Sequence, residues 1–135
     1  MSKSIPSIQK YMTTSPHSIG SDQTMAKAES TMKEHGIRHL PVLDGGKLVG
    51  LITDRDLKFL KGFRDVDPSV SKVADFSTQE VFTVSPHSLL NEVCDEMAEH
   101  KYGCAVVMDN HHLVGIFTWV DALRAMSELL ASRLK

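Results

Sequence analysis

The chain has 135 residues, 41% of them hydrophobic and 24% charged, with a formal net charge of −2. That length suits one domain of ordinary size, and the balance of apolar to charged residues excludes a disordered chain. Acids and bases are interspersed and form no basic stripe, which argues against a polynucleotide partner.

In chain order, the opening Met-Ser-Lys-Ser-Ile-Pro-Ser lacks the apolar core of a secretion signal. No stretch approaches the roughly 20 apolar residues of a membrane span. A cytoplasmic protein with no membrane partner is expected. A first helix should begin at Asp22 or Gln23 and run to about His35, with Met25, Ala28 and Met32 on one face and Gly36 ending it. An apolar strand, Ile37 to Leu43, leads through the turn Asp44-Gly45-Gly46-Lys47 into a second strand, Leu48 to Ile52, and then a helix. The polar stretch 61–72, with Pro68, reads as a linker. It divides the chain into 1–62 (a first repeat with its N-terminal segment), a linker at 63–72, and 73–135 (a second repeat with a long terminal helix). A second helix should begin at Ser88, with Leu89, Leu90, Val93, Met97 and Ala98 inward. Strands at Tyr102 to Met108 and Leu113 to Phe117 flank the turn Asp109-Asn110-His111-His112. Trp119, Ala122, Leu123, Met126, Leu129, Leu130 and Leu134 then follow helical spacing to the C-terminus. Two cysteines, Cys94 and Cys104, are too few for a disulfide framework or a zinc site and read as small apolar groups.

These elements repeat. Residues 8–60 lie over 73–125 without a gap, with identities at Thr13/Thr78, Met32/Met97, His35/His100, Val42/Val107, Gly50/Gly115, Thr53/Thr118 and Asp56/Asp121 among others. Ser-Pro-His-Ser recurs at 15–18 and 85–88, but in a different register, as a turn segment. Each unit reads as β-α-β-β-α, and one unit alone would leave a sheet face and helix stripes uncovered. The expected fold is therefore α+β, two pseudo-symmetric repeats forming one intertwined domain.

The ends of the second hairpins carry the most specific signal. Gly50-Leu51-Ile52-Thr53-Asp54-Arg55-Asp56 matches Gly115-Ile116-Phe117-Thr118-Trp119-Val120-Asp121, both fitting Gly-hydrophobic-hydrophobic-Thr-x-x-Asp. With Ile37-Arg38-His39-Leu40-Pro41-Val42 ahead of it, this pattern resembles the cystathionine-β-synthase-type (CBS) family, in which two repeats form a Bateman module. The resemblance covers about residues 5–126. The first repeat is similar to the acetoin-utilisation type, whose extra C-terminal domain has no counterpart here, so a stand-alone pair is expected. The resemblance implies an adenine-nucleotide ligand (AMP, ADP or ATP; less readily S-adenosylmethionine, NAD or a cyclic dinucleotide), a regulatory role, a homodimer and an effector protein in trans.

The chemistry suits that ligand. A carboxylate accepts from two neighbouring ribose hydroxyls. A threonine at a strand-to-helix junction, beside the free N–H groups of the next helix, favours a phosphate. The resemblance puts the adenine slot on Ile37, Arg38, His39 and Leu40 in one repeat and on Tyr102, Gly103, Cys104 and Ala105 in the other. Ile19 and Val84 close the slots, and Thr53 with Asp56, and Thr118 with Asp121, form the cradles. Arg38, His39 and Arg55 give the first cradle the more positive surroundings. In the second, Trp119 either fills the cleft in part or anchors the terminal helix in the core.

Plainer readings fit some of the same residues. Asp56 and Asp121 suit helix starts, and Thr53 and Thr118 suit N-caps. Arg38 also suits a solvated strand. His35 and His100 suit helix C-termini. His111-His112 offers two metal ligands without a third, so no metal is expected. No Gly-x-Ser-x-Gly, P-loop or His-Glu-x-x-His occurs, and nothing pairs a nucleophile with a base, so no catalytic activity or catalytic cofactor is expected. The alternative function is a structural dimerisation or partner-docking module with empty clefts.

Overall fold

The computed structural model describes residues 4–133; Leu134, counted above in the terminal helix, lies outside them. In chain order the elements are a 3-10 turn at Ile8–Lys10, β1 Thr13–Thr14, β2 Ile19–Gly20, α1 Met25–His35, β3 His39–Asp44, β4 Lys47–Thr53, α2 Asp54–Lys61, α3 Val73–Phe76, β5 Thr83–Val84, α4 Leu90–His100, β6 Cys104–Asp109, β7 His112–Thr118 and α5 Trp119–Arg133. This is the α+β fold with two repeats. No helix among the described residues is long and apolar enough to cross a membrane.

The chain forms two compact units. One is His17–Val81; the other joins the stretch up to Pro16 to Phe82 and onward. The N-terminal segment, grouped by sequence with the first repeat, thus packs with the second. Backbone hydrogen bonds explain the exchange. The first N–H groups of a helix have no partner within it. In α4, Leu90 N–H donates to the Pro6 carbonyl at 2.9 Å. In α1, Met25 N–H donates to Ser71 at 2.8 Å and Ala26 N–H to Pro68 at 2.9 Å. Residues 68–71, read as linker, therefore satisfy the start of α1. Pro6 and Ser71 are equivalent in the 65-residue register, so each helix is completed by the segment that precedes the other repeat.

In the His17–Val81 unit, β2, β3 and β4 form a sheet in which β2 pairs in parallel with β3, and β3 antiparallel with β4. Its core gathers Ile19, Met25, Ala28, Met32, Leu40, Val42, Ile52, Leu57, Leu60 and Val73. In the other unit the sheet order is β1-β7-β6-β5, over a core of Ile8, Leu90, Val93, Met97, Ala105, Val107, Phe117 and Ala125. Both hairpins shift register at equivalent points, Val42/Leu43 and Val107/Met108.

Local chemistry moves several boundaries from where the sequence puts them. Helix α1 starts at Met25, because Thr24 is its N-cap and accepts from Lys27 N–H at 3.2 Å. The first hairpin strands begin at His39 and Cys104 rather than Ile37 and Tyr102. The N–H of Ile37 bonds back to Met32 at 3.0 Å and that of Tyr102 to Met97 at 2.9 Å, so both residues still belong to helix ends. Gly36 supplies the left-handed turn of the first end at φ 63°, and Lys101 adopts it in the second at φ 59°.

The glycine of the repeated motif has a packing reason. A Cβ on Gly50 would lie 2.9 Å from the Thr78 carbonyl and 2.9 Å from Ser77 Oγ; one on Gly115 would lie 2.6 Å from Met12 Sδ. At each glycine an incoming segment crosses the strand: Leu51 exchanges two backbone bonds with Thr78, and β1 pairs with β7 at Ile116 and Gly115.

Candidate functional site

Each unit carries one cradle where its second hairpin strand runs into a helix. In the His17–Val81 unit, Thr53 ends β4 and caps α2. Thr53 Oγ accepts from Asp56 N–H at 3.3 Å, while Asp56 Oδ2 accepts from Thr53 N–H at 2.8 Å and from the Thr53 hydroxyl at 2.9 Å. This reciprocal pair is a capping box. The capping reading of Thr53 and Asp56 is therefore realised, and it leaves ligand capacity in place. Both donors meet Oδ2, and among the described residues no hydrogen bond reaches Oδ1.

The start of β3 runs beside this junction. His39 is the ladder partner of Thr53, and the Arg38 carbonyl accepts from Asp54 N–H at 2.9 Å. Arg38 and Arg55 are exposed, Ile37 and His39 half-buried, and Leu40 and Ile19 buried in the core. Leu40 and Ile19 can thus line a slot only with backbone. Burial pushes the His39 imidazole below its ordinary 6.5; the Arg38 charge adds to that and Asp54 opposes it. His39 is thus neutral near pH 7 and is a donor or acceptor rather than a second cation. The positive charge expected here rests on Arg38 and Arg55.

In the other unit, Asp121 is only 6% exposed. Its Oδ2 accepts from Thr118 N–H at 2.9 Å and from the Thr118 hydroxyl at 3.3 Å. The Thr13 hydroxyl lies 3.3 Å from Oδ1 and 3.4 Å from Oδ2. Thr13 was not among the expected site residues; the only sequence signal was its identity with Thr78 across the repeat. Cys104 is the ladder partner of Thr118, and both Cys104 and Ala105 are buried. Burial pushes the Cys104 thiol up to about 12 and raises that of Cys94, so neither is a reactive thiolate. Val84 pairs with Val107, and Gly103 is half-buried.

Trp119 is corrected from a core anchor. It is 62% exposed, and its Nε1–H donates to the Tyr102 carbonyl at 3.0 Å. The Tyr102 ring stacks on Phe82 (centroids 5.0 Å apart) and on His100 (5.1 Å). The start of the second slot is thus an aromatic stack with an indole bonded to its first carbonyl.

Among the described residues, the one group of three potential metal ligands close together is Glu96, Glu99 and His100, all exposed at the end of α4. His100 Nε2 lies 3.3 Å from the Glu96 carboxylate, four residues earlier in the same helix. His111 and His112 are in no such group.

Comparison with known proteins agrees with the two-repeat fold. The family model for the CBS domain matches residues 8–60 and again 73–128. The chain is 33% identical over 124 residues to CBS domain-containing protein YhcV of Bacillus subtilis, covering 90% of this chain and 86% of that one. A Vibrio cholerae protein named for acetoin utilization (AcuB) matches with a TM-score of 0.85 at 29% identity over 95% of each chain. The structure of CBSX2 in complex with AMP matches with a TM-score of 0.79 at 25% identity, covering 91% of this chain and 97% of that one.

Proposed function

This chain belongs to the CBS family, and from that premise we propose that it is a regulatory module that binds an adenine nucleotide (AMP, ADP or ATP) without transforming it. The observation that carries the proposal is the Thr-x-x-Asp junction, built twice. In the Asp56 cradle a carboxylate is oriented by Thr53 while one of its oxygens stays free for ribose hydroxyls. Arg38 and Arg55 are exposed beside it for phosphate. The AMP complex of CBSX2 supports an adenosine ligand for this architecture. Such a ligand regulates only through its differential affinity for two states of the module. A cytoplasmic effector protein would read the change in trans.

Titration calorimetry with AMP, ADP, ATP and S-adenosylmethionine tests the proposal. Saturable heat from at least one of them, lost in Asp56→Asn, is expected. No heat with any, together with an unchanged melting temperature at millimolar ligand, would sink it.

One observation favours a second role. Along α5, Trp119, Leu123, Met126 and Leu130 are exposed at helical spacing. We propose this stripe as the seam of a homodimer. A docking module with empty clefts would show the same dimer but no ligand heat.

A further inference from the structure

We propose that each chain holds one adenosine ligand, in the Asp56 cradle, and that Thr13 and Trp119 keep the Asp121 cradle closed. This inference rests on the adenosine-binding reading and specifies where that binding occurs.

The two cradles share a motif but differ in what is left open. A ribose needs carboxylate lone pairs it can reach. A carboxylate offers about four, and every hydrogen bond made inside the protein removes one. Asp56 is half-buried, with both of its donors on Oδ2. Asp121 is buried, with Thr118 on Oδ2 and the Thr13 hydroxyl within reach of both oxygens. The Thr13 donor arrives on the exchanged N-terminal segment, paired to β7 through β1. Its equivalent, Thr78, makes no bond to Asp56 among the described residues. A ribose at Asp121 has to compete with the Thr13 hydroxyl, which stands over both oxygens at 3.3–3.4 Å; one at Asp56 meets no such group among the described residues.

The base end differs in the same sense. Trp119 donates to the Tyr102 carbonyl, an acceptor that an exocyclic amine would use. The equivalent of Trp119 is Asp54, which has no side-chain N–H to offer and pairs instead with Lys58 along its own helix at 3.2 Å. No side-chain donor among the described residues reaches the carbonyl of Ile37, the equivalent of Tyr102. Charge points the same way, because Val120 stands where the first repeat has Arg55 and Gly103 where it has Arg38.

The test is equilibrium dialysis of the full chain with AMP, ATP and S-adenosylmethionine, counting ligand per chain. The expected result is one equivalent for the parent protein, none for Asp56→Asn, and one still for Asp121→Asn. A Thr13→Val/Trp119→Ala variant should gain a second equivalent; both residues are exposed, so folding is preserved. Two equivalents of similar affinity in the parent protein, or loss of the single equivalent in Asp121→Asn but not Asp56→Asn, would overturn the assignment while leaving adenosine binding intact. A double variant that still binds only one would overturn the role of Thr13 and Trp119. No binding of any of the three ligands to the parent protein would instead remove the adenosine reading on which this inference rests.

Discussion

Replacing Asp121 by alanine should destabilise the fold more than replacing Asp56, although the two aspartates occupy the same motif position. Asp121 is buried and takes its strongest bond from the Thr118 amide at 2.9 Å. The hydroxyl contacts from Thr118 and Thr13, at 3.3–3.4 Å, are long for O–H donors and add little to folding stability, although Thr13 still occupies the space over the carboxylate. Losing one charge-assisted bond, and leaving its donor without a partner, costs about 2–3 kcal/mol. Asp56 also bonds its threonine amide, at 2.8 Å, but it is half-buried, and water can replace the carboxylate there. The loss is then that of a helix cap, about 1 kcal/mol. For a chain of this size each kcal/mol moves the melting temperature by about 3–5 °C. Asp121→Ala should therefore melt roughly 5 °C below Asp56→Ala, measured by circular dichroism without ligand. Equal melting temperatures, or the reverse order, would refute the assignment of Asp121 as chiefly structural.

Gly50→Ala should cost about 1–3 kcal/mol in urea unfolding, because its Cβ meets a backbone carbonyl. Gly115→Ala should cost under about 1 kcal/mol, because flexible Met12 can move aside; equal losses would contradict the crossing-segment explanation. His39 has a lowered folded-state pKa, so below its ordinary 6.5 the unfolded chain binds more protons than the folded one. Stability from this group is complete above about pH 6.5 and is lost as pH falls through the folded value. His39→Gln should flatten the melting curve's dependence on pH between 7.5 and 5, and an unchanged slope would assign that dependence elsewhere. If the proposed homodimer forms through α5, Leu123→Glu/Leu130→Glu should be monomeric in light scattering where the parent chain is dimeric; a monomeric parent, or a variant that stays dimeric, contradicts the seam.

Much of this molecule is legible in the sequence because the chain states its pattern twice. Both hairpins fall where Asp44-Gly45-Gly46-Lys47 and its counterpart put them, and the helix faces at Met25, Ala28 and Met32 and at Leu90, Val93 and Met97 are buried. What sequence reading misplaces is decided by partners far along the chain. The two-residue β1 is too short to show any period, and its pairing with β7 closes a contact across more than a hundred residues. Residues 68–71 look like linker because their role is to offer carbonyls, which every residue has. The Thr13–Asp121 contact depends on that same exchange of segments. Trp119 looks like an anchor by its size and helical spacing. It lies outside because the α5 face toward the core is the one bearing Asp121 and Ala125.

The most direct measurement is a crystal structure of the full chain grown with AMP. It should show ribose hydroxyls within hydrogen-bond distance of Asp56 Oδ1 and the phosphate near Arg38 or Arg55. A nucleotide bound away from both threonine–aspartate junctions, or both junctions empty at millimolar AMP, would contradict the proposed role.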